Sequence, residues 1–428
     1  MKRFAAWASA TIWNIRIAAI APAAALGFGA WKTVRVIEDA SWNAGARRAQ
    51  FSLGLLLVTL ALGAIAASRY RGRNPRRRTL GVAGVLLVCL ACFPAVQEQV
   101  QWGASRYRSP RLIDIPITTM AAARAIASGQ NPYKVPVDPR AESREQGRNY
   151  DGFKYMPLMA AAYAPAALAH SDRGVILINA VCHVLMAVLI FLIARSLSGN
   201  AAASLGLIFY LWTRIVPRQL FNVGVTDMAA VLPLLAAFLA GDAWPFARGL
   251  LVGISVSTKL LPALALVPVF APAVMPWRDR KALRFWIGLA CGCLPAAVFF
   301  FWSPADFFSN VVLFTVLRPV DSTSWLDGHA AAWRHVAMGV LFVLLAGGAV
   351  LRWIAKMQPR VRVLLILAMI VGMTLLGPVN HGNYQLWWIP WFAIVLAFSL
   401  GVYVFPPEPV NLLEPQRDDT CVPRDTAT

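Results

Sequence analysis

Apolar runs recur along the chain from Phe4 to Phe405, separated by short links that carry Arg, Lys, Gly or Pro. Ten of them, at 8–30, 51–67, 80–96, 174–194, 201–216, 226–241, 284–302, 331–351, 363–378 and 385–405, predict helices that are apolar on every side. Such helices face lipid, and roughly 20 residues at ~1.5 Å each cross a hydrocarbon layer of ~30 Å. Two further runs, 156–169 and 250–275, are less regular. Six arginines crowd the link 68–79 (Arg69, Arg71, Arg73, Arg76, Arg77, Arg78), which the positive-inside bias places in the cytoplasm. Trp277 to Lys281 and Arg352 to Arg362 are the next basic links and take the same side.

These anchors agree only if 250–275 enters and leaves on one side, since Arg248 and Arg278 flank it. The run therefore predicts a hairpin of half-helices. Its middle, Ser257 to Pro262, holds a lysine and a proline, and irregular backbone at membrane depth is tolerated only where it lines a cavity. The same reasoning puts 97–155, 303–330 and 380–384 outside and makes 156–169 a short outer-face or re-entrant helix. The tail 406–428, rich in Pro and Asp, predicts a disordered cytoplasmic end.

Composition sharpens this picture. Of 428 residues 58% are hydrophobic and only 14% charged, against about 25% in soluble domains, which excludes a water-soluble globular enzyme. The expected class is an all-α polytopic integral membrane protein. The formal charge of +20 follows largely from topology and needs no nucleic acid as partner. Met1-Lys2-Arg3 before an apolar run reads as a first span or signal anchor. Five cysteines sit in apolar runs and Cys421 in the tail, so neither a disulfide framework nor a zinc quartet is legible. Cys89-x-x-Cys92 lies within LLVCLACF, where small buried thiols are the ordinary reading.

The informative polar residues fall on the predicted outer side. In 97–155, Asp114 opens a helical run through Pro116 that closes at Ser128-Gly129 and is followed by Asn131-Pro132-Tyr133. Asp114 reads as a helix cap. It reads equally as a general base at the membrane surface, since an inverting group transfer needs one carboxylate to take a proton from an attacking hydroxyl. Lys259, beside Pro262, reads as an intramembrane cation on a ligand route or as a snorkelling side chain. His183 reads as a packed, hydrogen-bonded core residue, and Asp227 as either a helix start or a cavity-facing acid. Arg214 and Arg218 become phosphate ligands if 213–222 is external.

The stretch Asp114 to Tyr133, D-I-P-I-T-T-M-A-A-A-R-A-I-A-S-G-Q-N-P-Y, resembles the Asp, Ala-rich helix and Gly-x-x-Pro-Tyr pattern of the glycosyltransferase-C superfamily. The nearest resemblance is to glycosyltransferase family 87, the polyprenyl-phosphate-mannose-type mannosyltransferases and their arabinofuranosyltransferase relatives. Phe153 to Pro157, Phe221 to Gly224 and Gly253 to Pro262 also resemble that family, in the same order. The resemblance implies a glycosyltransferase-C-type bundle of about 11–13 membrane segments with a long exoplasmic first catalytic loop. It divides the chain into N-terminal membrane segments with a basic cytoplasmic loop (1–79), a catalytic transmembrane domain (80–405) and a tail (406–428).

The implied function is transfer of a sugar, mannose foremost, from a polyprenyl-phosphate carrier to an acceptor hydroxyl, with inversion, at a multi-pass inner-membrane site facing the periplasm or exterior. Asp114 is then the general base and Asp39, on the same outer side, the alternative. Lys259, His381, Arg218, Tyr133, Tyr155 and Asn222 are expected to bind substrate or lipid phosphate. Partners are the lipid-linked donor, a lipid or glycan acceptor, and membrane lipids. No resident cofactor or metal is expected, though scattered acids leave room for a divalent ion. The rival class is a multi-span transporter or lipid flippase, since broken helices with a buried cation also build transport sites; a third is a non-catalytic scaffold.

Overall fold

A computed structural model describes residues 75–137, 152–222, 224–272, 279–314, 331–354, 357–376 and 382–404. The predicted spans at 8–30 and 51–67, Asp39, His381 and the tail lie outside the described residues. The rest is helical, with no strand among the described residues. In chain order the main helices are α1 (Pro75–Arg108), α2 (Asp114–Ala127), α3 (Pro157–Ala162), α4 (Ala164–Leu168), α5 (Asp172–Trp212) and α6 (Met228–Ala240). They continue with α7 (Pro245–Val256), α8 (Leu260–Phe270), α9 (Arg280–Trp302), α10 (Ala331–Ile354), α11 (Pro359–Leu376) and α12 (Gln385–Val404).

Three stretches, Asp172–Asn200, Arg280–Trp302 and Pro359–Leu376, are long and apolar enough to cross a membrane among the described residues. Their outer faces carry large apolar side chains at helical spacing. Leu177, Val181 and Val184 are exposed along α5, and Leu294, Val298 and Phe301 along α9. Stripes at i, i+4, i+7 that face away from the core need a non-aqueous surround.

The predicted run 201–216 forms the second part of α5, beyond a break at Gly199 whose φ of +83° only glycine adopts readily, and it ends at Trp212, where Thr213 turns extended. The run 226–241 becomes the 13-residue α6. At ~1.5 Å per residue α6, α7 and α8 reach only about 16–20 Å each, short of a full span. The irregular run 250–275 resolves into two of them, α7 and α8, joined at Ser257–Lys259.

Both outer ends of that pair lie together. Arg248 of α7 and Val269 and Phe270 of α8 line one small cavity with Asp242 and Arg362. Arg360 also donates to the Leu197 carbonyl near the α5 kink, 2.6 Å from Nη2. This defines an Asp242 end of the molecule. The opposite, Asp227 end collects the link 213–227, the α7–α8 turn and the start of α12. The first helix reaches it too, through Arg106 and Trp102.

Helix α7 lies against α9 with the two backbones in contact. A Cβ on Gly249 would overlap the Phe285 carbonyl, and one on Gly288 the Phe246 carbonyl; Gly253 and Gly292 meet Leu289 and Leu250 in the same way. Two Gly-x-x-x-Gly pairs thus form a groove-to-groove crossing, the usual solution where apolar burial cannot hold helices together in lipid.

Two clusters make up most of the core. The larger joins α5, α6, α7, α8, α9, α11 and α12 through residues such as Tyr210, Leu234, Phe285, Trp387 and Trp391. A smaller cluster joins α2, the segment around Tyr133 and Phe153, α3, α4 and the turn at Phe307. Leu112 and Leu260 pack against both clusters, so Asp114 and Lys259, next to them in sequence, flank the seam between the cores.

Candidate functional site

The link between α5 and α6 carries the site. After a single turn at Ile215–Pro217 the chain widens into a π-turn, Arg218–Asn222, and passes Gly224 at φ +71°. Buried carbonyls freed by this irregular backbone need donors. Asn179, fully buried in α5, supplies them: its Nδ2 donates to the carbonyls of Leu220 (3.0 Å) and Val225 (3.2 Å), while its Oδ1 accepts from the Tyr163 hydroxyl at 2.6 Å. A Cβ on Gly224 would lie 2.6 Å from Leu112 Cδ2 and 3.5 Å from Pro116 Cγ, so the link packs directly against the start of α2.

Asp227 is fully buried at the first turn of α6, yet its side chain caps no backbone N–H. Its Oδ1 instead accepts from Lys259 Nζ and, at 2.7 Å, from Trp387 Nε1; its Oδ2 accepts from Asn383 Nδ2 at 3.3 Å. Lys259 takes extended backbone angles at the α7–α8 turn, and its ammonium lies 5.8 Å from the Tyr155 ring centre and 5.1 Å from that of Tyr384. An ion pair out of water survives only when further donors and π-faces replace hydration, and here Trp387, Asn383 and two tyrosines do so. Thr226 Oγ1 and Asn383 Oδ1, on either side of the carboxylate, are buried without a hydrogen-bond partner.

The segments 131–137 and 152–158 lock onto this turn. Leu158 N at the start of α3 donates to the Ser257 carbonyl at 2.9 Å, and the Tyr133 hydroxyl donates to the Tyr155 carbonyl at 2.9 Å. Burial pushes the Tyr133 phenol well above its ordinary range, which keeps it a neutral donor.

Asp114 differs from these residues. The N-cap of α2 is Ile113, and no side chain caps the helix, which removes the reading of Asp114 as a cap. It is the first helical residue and half-buried, and its carboxylate accepts no hydrogen bond among the described residues. The turn beneath it is held instead by Thr118 Oγ1, which donates to the Asp114 carbonyl at 3.0 Å, and by Thr119 Oγ1, which donates to that of Ile115 at 2.7 Å.

Beside the link, α1 and α5 leave a groove of about 750 Å3 open to the flank, lined by apolar residues from Val96 to Tyr107 and from Ile176 to Phe191. That stretch of α5, 16 residues from Ile176 to Phe191, gives it a length of roughly 22 Å. Its only strongly polar walls are Gln99 and His183, and these satisfy each other: His183 Nε2 meets Gln99 Oε1 at 2.8 Å and its Nδ1 meets the Tyr210 hydroxyl at 2.8 Å. At the Asp227 end, Asn222 Oδ1 accepts from Trp102 Nε1 and Arg106 Nε, both at 2.7 Å, and Arg173 lies over the Tyr107 ring. Arg218 is exposed there, whereas Arg214 pairs with Glu98 at 2.8 Å.

The structure therefore joins Tyr133, Tyr155 and Lys259 in one contact chain and ties Asn222 to Trp102 and Arg106 beside the groove. Sequence reasoning singled out Lys259 but not its pairing with Asp227, the donors Trp387 and Asn383 on that carboxylate, or the role of Asn179. Among the described residues no three His, Cys, Asp or Glu side chains gather closely enough to hold a metal ion.

Comparisons with curated proteins and with solved structures give no match. The family model for glycosyltransferase family 87 matches residues 153–379, more than half of the chain. That span contains Tyr155, Asn179, Asn222, Asp227 and Lys259 and begins after Asp114. The chain thus belongs to glycosyltransferase family 87, a membrane glycosyltransferase whose substrates are a sugar donor and an acceptor.

Proposed function

We propose that the protein transfers a sugar, mannose foremost, from a polyprenyl-phosphate carrier to an acceptor hydroxyl on the exoplasmic side, with inversion, within a glycosyltransferase-C-type bundle. The observation that carries this reading is the lateral apolar groove ending at Arg106, Arg173 and Asn222, close in sequence to the Asp114 carboxylate, which accepts no hydrogen bond among the described residues. A prenyl chain needs a long apolar slot reachable from lipid, and its phosphate needs cations at the boundary, where reduced dielectric strengthens each contact.

On this reading the Asp114 carboxylate takes the proton from the acceptor hydroxyl as its oxygen attacks the anomeric carbon. The bond from that carbon to the phosphate oxygen breaks, and the polyprenyl phosphate leaves with the electron pair. Attack from the face opposite the leaving group inverts the carbon. Arg106, held beside the groove by Asn222, faces the leaving phosphate, and the resemblance adds Arg218 and His381. Since Asp227 offsets its charge, Lys259 contributes donor hydrogens from the Tyr155 side more than net charge, and Tyr133 holds that tyrosine in place.

The test uses membranes carrying the full chain and radiolabelled polyprenyl-phosphate mannose. Asp114→Asn is expected to lower transfer about 10²–10⁴-fold, the usual contribution of a general base, while Asp39→Asn leaves it unchanged. Full activity in Asp114→Asn with loss in Asp39→Asn moves the base to Asp39. Solute movement by purified protein in vesicles with no glycosylated product overturns the enzymatic reading.

A further inference from the structure

The Asp227–Lys259 pair has neighbours that proton removal and phosphate binding leave unused. Thr226 is 0% exposed and Asn383 5%, yet Thr226 Oγ1 and Asn383 Oδ1 find no hydrogen-bond partner among the described residues. A buried polar atom left unpaired costs folding free energy, and native cores keep few of them. Both belong to the same carboxylate. Thr226 precedes Asp227 in the chain, and Asn383 donates from Nδ2 to Asp227 Oδ2, so that the other end of this amide is the unpaired oxygen. The cluster is not sealed, since Lys259 keeps 11% of its side chain exposed between the half-buried Tyr155 and Tyr384.

What these atoms require narrows the ligand. The Asn383 oxygen can only accept, and the Thr226 hydroxyl can both donate and accept. The phosphodiester of a lipid-linked sugar offers acceptors alone, so it cannot satisfy Asn383, and a neutral ion pair gives an anion no net attraction. A sugar hydroxyl donates and accepts at once. The tyrosine rings beside the ammonium add apolar faces of the kind that small-molecule sites set around a few polar groups. Position agrees with this chemistry. Asn222, which holds Arg106 beside the groove, and Asp227 lie on one short link, and Leu112 and Leu260 bring the start of α2 to the same seam.

We propose that Thr226, Asn383 and the Asp227–Lys259 pair form the subsite that reads ring hydroxyls of the donor sugar, while Arg106 takes its phosphate. The inference rests on the sugar transfer proposed above. One ring hydroxyl donates to Asn383 Oδ1 and another pairs with the Thr226 hydroxyl. A donor that lacks either hydroxyl leaves a buried atom unpaired and is used poorly.

The test compares transfer by the full chain from polyprenyl-phosphate mannose and from its 2-, 3-, 4- and 6-deoxymannose analogues, and measures inhibition by sugar-free polyprenyl phosphate. The natural chain is expected to use at least one deoxy donor about tenfold or more poorly in kcat/KM. Thr226→Val keeps the shape of the side chain and removes the unpaired hydroxyl. It is expected to keep or raise Tm, to lower kcat/KM for the mannose donor about tenfold, and to close the gap for one deoxy donor, which Thr226→Ser reopens. Inhibition by polyprenyl phosphate should stay as in the natural chain. An equal loss toward every donor in Thr226→Val, or a lowered Tm, leaves a merely structural threonine and overturns the proposal; weakened inhibition by polyprenyl phosphate overturns it in favour of a phosphate site. Transfer by the natural chain without preference among the donors overturns the subsite alone, whereas no transfer from any of them overturns the proposed function and the subsite together.

Discussion

Lys259 and Asp227 are the residues on which most contacts of the site converge, and their energetics are asymmetric. A buried pair contributes little net stability, but removing one member strands the other charge. Asp227→Asn or Lys259→Met alone should each cost about 3–5 kcal/mol in thermal unfolding, and the double variant should recover a good part of that, a coupling measurable as a double-mutant cycle. The lysine was legible in the sequence because a cation beside Pro262 is out of place in an apolar run. The network around it was not: Lys259 meets Asp227 across a sequence separation of 32, and Asp227 meets Asn383 and Trp387 across 156 and 160, and no local pattern encodes such meetings. Asp114 shows the reverse case, since local grammar offered cap and base alike and the Ile113 cap removes only the first.

Among elements, the α7–α9 crossing is the one most sensitive to a single methyl group. Gly288→Ala should destabilise the protein by about 3 kcal/mol, because the new Cβ meets backbone rather than a side chain that could swing away. Gly339→Ala on α10, where nothing lies within 4 Å, should be neutral or stabilising by about 0.5–1 kcal/mol, and unfolding in detergent compares the two. The hairpin at 250–275 was predictable from its flanking arginines and its central Lys and Pro. The glycine pairs 249/253 and 288/292 were present in the same runs but silent, since i, i+4 glycines also occur on faces that meet only lipid. Helix lengths were the least legible feature. The run 226–241 is apolar enough for a span, and only the Asn179-bound link before it shortens the helix to 13 residues.

For the whole molecule, the pairing of helix ends makes topology testable. With native cysteines replaced, Asp242→Cys and Lys281→Cys should react with an impermeant thiol reagent only after permeabilisation, and Ser128→Cys in intact cells. The reverse pattern would place the groove mouth in the cytoplasm. The arginines around Asp242 also give a pH dependence. A carboxyl held below its ordinary value of 3.8 stabilises the fold fully above that value and stops doing so as pH falls through the lowered one. The Tm gap between the natural chain and Asp242→Asn should therefore be constant from about pH 5 to 8 and close below about pH 4. It should amount to less than about 1 kcal/mol, since 67% of the Asp242 side chain is exposed. At this scale the sequence reading went furthest: membrane class and helix order follow from where apolar runs stop, which is a property of composition and not of distant contacts.

The paired half-helices also constrain how the chain is made. Neither α7 nor α8 is long enough to be threaded into a bilayer by itself as it leaves the ribosome. Its glycine-faced partner α9 is synthesised only afterwards, so the nascent hairpin must wait at the membrane surface or in the translocon until α9 arrives to clasp it. A chain truncated after Phe270 should accordingly leave that hairpin open to added protease, and one extended through Trp302 should shield it.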